Sequence, residues 1–255
     1  MSTVNAPRDK KNRLDKMLVE SGLVESRHRA QALIMEGKVW VGGKRVEKAG
    51  VQVSREEVIE IRGETCPYVS RGGTKLEKAL DHWQLAVRGK TFLDAGASTG
   101  GFTDCLLQRG AEKVFAVDVG YGQLAWKLQR DQRVVNIERT NIRYLTKEQL
   151  TGEPHSAVID VSFISLRKVI PKVIELIKKG GDIIALIKPQ FEVAKGEVGK
   201  RGVIGDARIH ERVIEEISSF GLEAGLMVLG VVESPLMGPK GNREFFIYLK
   251  EAGSR

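Results

Sequence analysis

Two lysines and two carboxylates stand where the strands of an α/β sheet are predicted to begin or end. Lys188 follows the apolar run Ile183–Ile187 and precedes a proline, which favours a position at the tip of a buried strand. Asp160 ends another apolar run, Glu244 starts the last one, and Lys75 lies on the helix before the first strand. Burial or a second cation lowers the proton affinity of a lysine. We therefore expect Lys188 to handle a proton, with Lys75 as the second cation and Asp160 and Glu244 orienting both.

A glycine-rich turn follows the first strand of the same predicted sheet. Its spacing fails the dinucleotide pattern G-x-G-x-x-G, because Ser98 occupies the second glycine position. Acidic residues at strand ends suit a ligand with an ammonium, a sulfonium and ribose hydroxyls, and this combination indicates S-adenosylmethionine. The residues predicted to contact this cofactor are Asp94, Gly96, Ser98, Gly100, Gly101, Phe102, Asp118, Asn141 and Asp160.

Other methyl-transfer chemistries fit these strand ends less well. Amino-group methyltransferases usually carry two prolines before an aromatic residue, whereas this chain has Asp160-Val-Ser-Phe163. Methylation of pyrimidine carbon 5 needs a thiolate beside a strand end, but Cys66 and Cys105 fall elsewhere. No CxxC motif is present, so the sequence predicts neither a zinc ribbon nor another metal site.

The elements around these residues alternate between strands and helices from residue 70 onward. This alternation predicts an α/β, Rossmann-like domain with a doubly wound, seven-stranded, mostly parallel sheet, whose last two strands form an antiparallel pair. A two-glycine turn at Gly42-Gly43 predicts a hairpin. The helices that these patterns predict include residues 13–21, 27–36, 74–83, 123–130 and 166–179. The expected organisation is a small α+β domain over residues 1–62, a linker over 63–69 and the sheet domain over 70–255.

The excess of positive charge is uneven and is greatest in the first 48 residues. Residues 1–48 hold 11 basic and 6 acidic side chains, a net +5, whereas the rest of the chain carries 30 and 27, a net +3. A polyanion such as RNA is the simplest partner for such a domain. No apolar run reaches the ~18 residues of a membrane helix, and the polar start of the sequence gives no secretory signal. We therefore expect a cytoplasmic protein.

The order of these motifs resembles the TlyA-type hemolysin/rRNA 2′-O-methyltransferases, in which an S4 RNA-binding domain precedes an FtsJ-like methyltransferase domain. The similarity extends over roughly residues 10–250. The chain departs from the family at Cys66-Pro-Tyr-Val69, where the family's linker carries a tryptophan. The matching motifs are Arg13-Leu-Asp, Ser26-Arg-His-Arg-Ala30, Val69-Ser-Arg-Gly-Gly73, the Asp94–Thr103 turn, Asp118-Val-Gly-Tyr-Gly, Asp160-Val-Ser-Phe-Ile-Ser165, Lys188-Pro-Gln-Phe-Glu192 and Gly241-Asn-Arg-Glu244.

The resemblance implies a Lys-Asp-Lys-Glu catalytic tetrad that methylates a ribose 2′-hydroxyl, with cytidines of 16S and 23S ribosomal RNA as substrates. It places the tetrad on Lys75, Asp160, Lys188 and Glu244, with Lys188 as the general base or as the group that holds the hydroxyl while its proton leaves. Ribosomal RNA or ribosomal subunits would be the partners. The basic residues expected to contact RNA are Arg13, Lys16, Arg27, Arg29, Lys38 and Arg71.

Two rival functions remain open from the sequence. The family's other name implies a membrane-active hemolysin, and a ribosome-binding factor with a vestigial cofactor pocket would share the same motifs.

The loop Glu192–Gly205, with four glycines, is expected to close over a bound nucleotide.

Overall fold

The computed structural model describes residues 11–24, 27–35, 37–62, 66–199 and 201–251. Internal contacts divide the chain into two compact units, Met1–Thr65 and Cys66–Arg255. Residues 63–65, the first part of the expected linker, lie outside the described residues. The remainder of that segment packs on the larger unit, because the Tyr68 ring is buried beside Gly73 and the Val69 N–H donates to Asp104 Oδ2 at 2.8 Å.

The smaller unit packs two helices on short strands. Strand β2 lies between β3 and β5, while β1 pairs with β4, and every pairing is antiparallel. Gly42 and Gly43 both have positive φ, which confirms the predicted two-glycine hairpin turn. Leu14, Leu18 and Leu33 are fully or nearly fully buried in its core. The elements are β1 (Asn12–Arg13), α1 (Leu14–Glu20), α2 (Arg27–Met35), β2 (Val39–Val41), β3 (Lys44–Arg45), β4 (Gln52–Val53) and β5 (Ile59–Ile61).

The larger unit is built on the predicted seven-stranded sheet. Its strands are β6 (Thr91–Ala95), β7 (Lys113–Val117), β8 (Val134–Ile137), β9 (Ser156–Ile159), β10 (Asp182–Ile187), β11 (Leu226–Glu233) and β12 (Phe245–Glu251). They are ordered β11-β12-β10-β9-β6-β7-β8. Strand β12 is antiparallel to both of its neighbours and is inserted between β10 and β11, which confirms the predicted arrangement of the last two strands.

Helices cover both faces of this sheet. They are α3 (Arg71–His82), α4 (Gly101–Gln108), α5 (Trp126–Gln129), α6 (Ile170–Leu176), α7 (Pro189–Glu192) and α8 (Ala207–Glu223). Because side chains alternate along a strand, Ile183, Ala185 and Ile187 join one hydrophobic cluster with α6 and α8. The intervening Ile184 and Leu186 join the cluster that contains α3, α4 and α5. The doubly wound α/β fold predicted from the sequence is confirmed.

Three helices differ in extent from their predicted bounds. Helix α3 begins at Arg71 rather than Thr74. Gly73 lies in its first turn and packs so closely on the Tyr68 ring that an added Cβ would lie 2.3 Å from it, and this contact stabilises the glycine within the helix. The helix expected at 123–130 is limited to α5, since carboxylates of Asp118 and Glu138 hold the preceding backbone as a loop. The helix expected over 166–179 divides into a 3₁₀ turn and α6, near Pro171.

Candidate active site

The catalytic candidates meet at the carboxyl ends of β9 and β10. Asp160 follows β9 directly, and Pro189 ends β10 so that Lys188 caps the short helix α7. These two strands are parallel neighbours, so their ends lie side by side. Lys188 Nζ is 2.6 Å from Asp160 Oδ1 and donates a hydrogen bond to Ser162 Oγ at 3.0 Å. The hydrogen bond goes to Ser162, and the contact with Asp160 is an ion pair without hydrogen-bond alignment.

A second ion pair joins Lys75 of α3 to Glu244 at the start of β12. Lys75 Nζ donates to Glu244 Oε2 at 2.6 Å, and both side chains are buried. Glu244 Oε1 is buried without a hydrogen-bond partner among the described residues. Burying a charge is costly unless it is paired, so the pairing with Lys75 stabilises a carboxylate that could not lie there alone.

Sheet register brings the two pairs to one place. Ile187 is opposite Phe245 in the antiparallel pairing of β10 with β12, so the next residues along, Lys188 and Glu244, face each other across the strands. Ile187 and Phe245 belong to the cluster of α6 and α8. Because side chains alternate along a strand, the adjacent residues Lys188 and Glu244 point to the opposite face, where α3 carries Lys75. The fold therefore gathers all four residues at one edge of the sheet.

The pairing corrects one expectation about these residues. Each lysine meets a carboxylate at 2.6 Å, so Lys75 does not act as a bare second cation beside Lys188. In the structure Lys188 is thus an ion-pair partner of Asp160 and a hydrogen-bond donor to Ser162.

A cavity of about 760 Å³ opens beside Asp160 at the same edge. Its walls come from the loops after β6, β7, β8 and β9. Asp118, at the end of β7, accepts the N–H groups of Ser98 at 2.8 Å and Gly120 at 2.7 Å. Gly96 has φ +90°, and a Cβ there would lie 2.6 Å from the backbone oxygen of Asp160. Only glycine fits this position, where the turn passes close to the Asp160 loop.

Five of the nine residues predicted to contact the cofactor lie on the cavity wall. They are Gly96, Ser98, Asp118, Asn141 and Asp160. Asn141 also caps a 3₁₀ turn, since its Oδ1 accepts the Arg143 N–H at 3.1 Å. These groups fit an S-adenosyl ligand, because Asp118 keeps carboxylate lone pairs for ribose hydroxyls and Asp160 carries a charge opposite to that of a sulfonium.

The other four residues, Asp94, Gly100, Gly101 and Phe102, are not among those that line this cavity, and their contact with the cofactor stays a prediction. Phe102 packs in the core with its ring centroid 6.1 Å from that of Phe246. A Cβ on Gly100 would lie 2.3 Å from Leu128, and one on Gly101 would lie 2.2 Å from Ser70 Oγ. These glycines shape the turn by allowing close packing behind it.

Asp94 is fully buried beneath the same turn. Its Oδ2 accepts the hydroxyl hydrogen of Thr103 at 2.6 Å, and its Oδ1 has no hydrogen-bond partner among the described residues. Burial raises the pKa of Asp94 to about 7, against the opposing effect of the Thr103 hydrogen bond. Asp94 thus supports the turn from below and carries a titratable proton near neutral pH.

Two residues of the Asp160 loop were missed as site residues in the sequence. Ser162 accepts the hydrogen bond of Lys188, and Phe163 is 90% exposed on the cavity wall with φ +63°. The ring of Phe163 lies 4.9 Å from that of Phe191. A bulky residue in the left-handed region is strained, which marks Phe163 as a functional candidate. An aromatic residue after Asp160 was the available signal, but its exposure depends on the loop conformation.

The basic residues predicted to contact RNA divide into two groups. Arg13 and Arg27 both bind the buried carboxylate of Asp15, at 3.0 and 2.8 Å, and the hydrogen bond from Arg13 holds the pKa of Asp15 well below its usual range. Their guanidinium groups therefore also stabilise the buried Asp15 carboxylate, and contact with RNA stays a prediction for all six basic residues. Of the others, Lys16 and Arg71 are exposed, and Arg29 and Lys38 are half-buried. Arg71 also donates to the Met237 carbonyl at 3.2 Å.

Comparison with known proteins identifies relatives over both units. The FtsJ-like methyltransferase profile matches residues 68–251, and the S4 domain profile matches residues 12–59. The 16S/23S rRNA (cytidine-2′-O)-methyltransferase TlyA of Mycobacterium tuberculosis is 46% identical over 244 residues, which cover 95% of this chain and 91% of that protein. Hemolysin A of Brachyspira hyodysenteriae is 41% identical over 237 residues, covering 92% and 98%.

Solved structures give the same fold. A hemolysin candidate from Streptococcus thermophilus matches with a TM-score of 0.77 and 42% identity, covering 96% of this chain and 90% of that one. An S-adenosylmethionine-dependent methyltransferase from Mesorhizobium loti matches with a TM-score of 0.52 at 13% identity, a likeness of fold alone. Within the described part of the chain, no helix is both long and apolar enough to span a bilayer.

Proposed function

Because this chain belongs to the FtsJ-like methyltransferase family, we propose that it methylates the ribose 2′-hydroxyl of cytidine in 16S or 23S ribosomal RNA, with S-adenosylmethionine as methyl donor. The observation that carries the proposal is the pair of lysine–carboxylate contacts, each 2.6 Å long, at the sheet edge beside the cavity. The M. tuberculosis relative named for this activity is 46% identical over 95% of this chain, which supports the choice of substrate.

The cavity wall supplies the groups that would hold the cofactor. Asp118 would accept from ribose hydroxyls, Asn141 would lie beside the base, and Gly96 leaves room for the ligand at the turn. When bound, S-adenosylmethionine supplies an activated methyl group on a sulfonium. Asp160 borders both the cavity and Lys188, so its carboxylate can balance positive charge on either side.

Lys188 is the residue that would handle the acceptor proton. Its amine would accept the proton of the 2′-hydroxyl and hold the oxygen in position for an in-line displacement. S-adenosylmethionine would supply the methyl group, whose bond to sulfur breaks as the oxygen–carbon bond forms, so that the sulfur leaves as a neutral thioether.

Lys75 and Glu244 act as a buried pair beside Lys188. Glu244 faces Lys188 across the strands, and Lys75 fixes one of its oxygens at 2.6 Å. The second oxygen, Oε1, is buried against Gly238 and has no hydrogen-bond partner among the described residues. Lys75 would hold the Glu244 carboxylate in a fixed direction, so the dipole of the pair is in place before the substrate binds.

The RNA substrate would be recognised by charge and by stacking. The S4 unit, Met1–Thr65, carries a net charge of +3, from 13 basic and 10 acidic side chains, and basic contacts of this kind position RNA without reading its sequence. Phe163 offers an exposed ring at the cavity wall, and RNA enzymes often stack an unpaired base on such a ring. The partner would be ribosomal RNA within a subunit, and the protein would then act in the cytoplasm.

Methylation assays on ribosomal subunits test the proposal. Purified subunits that lack the modification are incubated with the protein and S-adenosylmethionine, digested to nucleosides, and separated by mass spectrometry. We expect 2′-O-methylcytidine to appear, and only with a protein that retains Lys188. Methylation of a base instead of ribose would contradict the proposal, as would the absence of any transfer to either subunit.

A further inference from the structure

A carboxylate outside the tetrad joins the two loops that carry Asp160 and Lys188. Glu192 ends α7, four residues after Lys188. Its Oε2 accepts the hydroxyl hydrogen of Ser165 at 2.5 Å, and its Oε1 accepts the N–H of Leu166 at 2.8 Å. Ser165 stands five residues after Asp160 on the loop that follows β9. Two hydrogen bonds thus join Glu192, at the end of α7, to the loop that follows β9.

Placing the Glu192 carboxylate in this largely buried position costs free energy of desolvation. Burial raises the pKa of Glu192 against the opposing effect of the hydrogen bonds from Ser165 and Leu166. Arg167, the charged residue next along the loop, is engaged by Glu216 at 2.6 Å. The two hydrogen bonds are therefore the main compensation for placing a carboxylate here.

Two further contacts lie between the same loops. The ring of Phe163 meets that of Phe191 at 4.9 Å, and Lys188 donates to Ser162 Oγ at 3.0 Å. The one ring contact and the one hydrogen bond to Ser162 each leave the two loops free to shift along each other. Two hydrogen bonds to a single carboxylate fix both the distance and the relative orientation of the loops.

We propose that Glu192 is a positioning residue for methyl transfer: by binding Ser165 and Leu166, it holds the loop after β9 against α7 and so sets the contact between Asp160 and Lys188. This inference rests on the proposed function. It assigns to the fifth residue of Lys188-Pro-Gln-Phe-Glu192 a task distinct from that of the tetrad, because Glu192 touches loop residues and not the reacting atoms. A displacement of about 1 Å at a reacting group can cost on the order of 100-fold in rate.

Two substitutions separate positioning from a role for the charge itself. Glu192→Gln keeps the shape: its Oε1 can accept the Leu166 N–H, and its Nε2 can donate to Ser165 Oγ. Glu192→Ala removes both contacts. We therefore expect the alanine variant to lose about 10- to 100-fold in kcat, while the glutamine variant recovers most of it. Binding of S-adenosylmethionine, measured by calorimetry, should change little, since Asp118 and Gly96 lie on other loops.

A matched control and a milder variant complete the experiment. Glu153 is an exposed carboxylate outside these loops and pairs with Lys147, so Glu153→Ala should retain wild-type kcat. Ser165→Ala removes one of the two hydrogen bonds to Glu192, together with the hydrogen bond that Ser165 Oγ accepts from the Arg167 N–H, and keeps the test valid if Glu192→Ala fails to fold. Combined with Glu192→Ala, it should add less than its own separate effect, because both substitutions break the same contact.

The outcomes distinguish this inference from the proposed function. Wild-type kcat in both Glu192→Ala and Ser165→Ala would overturn the inference, as would a Glu192→Gln variant as inactive as the alanine variant, since that would assign the effect to charge. If wild-type and Glu153→Ala proteins transfer no methyl group to ribosomal RNA, the proposed function itself fails.

Discussion

At the scale of single residues, the site depends on where each proton is held. Lys188 and Lys75 each form an ion pair with a carboxylate. Asp94 is a buried acid whose Oδ1 has no hydrogen-bond partner among the described residues. The same low-polarity surroundings strengthen an ion pair that is complete and penalise an acid that is not. Titration behaviour is therefore the property that most directly reports these environments.

Asp94 makes the stability of the protein depend on pH. Its carboxyl keeps its proton up to about pH 7 in the folded state, whereas the unfolded carboxyl releases it near 3.8. The unfolded state thus binds fewer protons between these values, and stability falls as pH rises through that window. Asp94→Asn cannot ionise and keeps an oxygen for the Thr103 hydroxyl, so it should gain up to about 4 kcal/mol relative to wild type between pH 4 and pH 8.

Urea unfolding at several pH values measures this difference. Glu153→Gln removes an exposed carboxylate that pairs with Lys147, and it serves as a control that should follow the wild-type profile. If Asp94→Asn and wild type lose stability in parallel from pH 4 to pH 8, the buried acid is not the group responsible.

Phe163 is predicted to trade stability for function. Its φ of +63° costs a non-glycine residue on the order of 1–3 kcal/mol. Phe163→Gly relieves this strain, so the melting temperature should not fall, while loss of a stacked ring worth ~1–3 kcal/mol should raise the KM for RNA about 10-fold or more. Phe163→Tyr keeps the ring and should bind RNA as wild type does. An unchanged KM in Phe163→Gly would show that the exposed ring does not meet the substrate.

The tetrad could be predicted at this scale, but its pairing could not. Lys188, Asp160 and Glu244 were found because strand ends are visible in the sequence as apolar runs that stop at a charge. Which lysine meets which carboxylate depends on the insertion of β12 beside β10 and on the face that α3 covers. The roles of Ser162 and Phe163 depend on a loop conformation that has no periodic signal.

At the scale of elements, the sheet was predictable and the helix ends were less so. Apolar strands of four to six residues gave β6, β7, β9 and β10 within one or two residues. Helix α3 starts early because Gly73 fits against Tyr68, a tertiary contact that outweighs the low helix propensity of glycine. The glycine-rich turn lies beside the cavity as expected, but the packing contacts of Gly100, Gly101 and Phe102 depend on residues distant in the sequence and could not be predicted.

Gly96 is the point where two elements of the site come closest. A Cβ there would meet the Asp160 backbone oxygen at 2.6 Å, and its φ of +90° disfavours any other residue. Gly96→Ala should push the turn from the Asp160 loop, destabilise the protein by about 1–3 kcal/mol and weaken binding of S-adenosylmethionine. Thermal unfolding and calorimetry measure both effects.

A glycine in open space provides the matched control. Gly205 has no neighbouring atom within 4 Å of an added Cβ, so Gly205→Ala should change neither the melting temperature nor cofactor affinity appreciably. Cofactor affinity at the wild-type value in Gly96→Ala would contradict the assignment of this turn to the cofactor site.

At the scale of the whole molecule, the excess positive charge divides into structural and free parts. Arg27 is held by the buried Asp15, whereas Lys16 is exposed on the same S4 unit. Lys16→Ala should therefore lower the slope of log affinity for RNA against log salt by about one and leave stability unchanged. Arg27→Ala should instead destabilise the S4 unit by about 2 kcal/mol, since Asp15 loses a charged partner. Equal slopes for wild type and Lys16→Ala would remove Lys16 from the RNA contact.

The central claim, that Lys188 performs methyl transfer, is tested most directly by Lys188→Ala in a single-turnover reaction with ribosomal subunits, alongside calorimetry of S-adenosylmethionine binding. Lys172→Ala, which changes a lysine on α6 paired with Glu175, is the control. Transfer by Lys188→Ala should fall by about 10²- to 10⁴-fold while the cofactor still binds and the control retains wild-type rate. A Lys188→Ala protein that methylates ribosomal RNA at the wild-type rate would contradict the account.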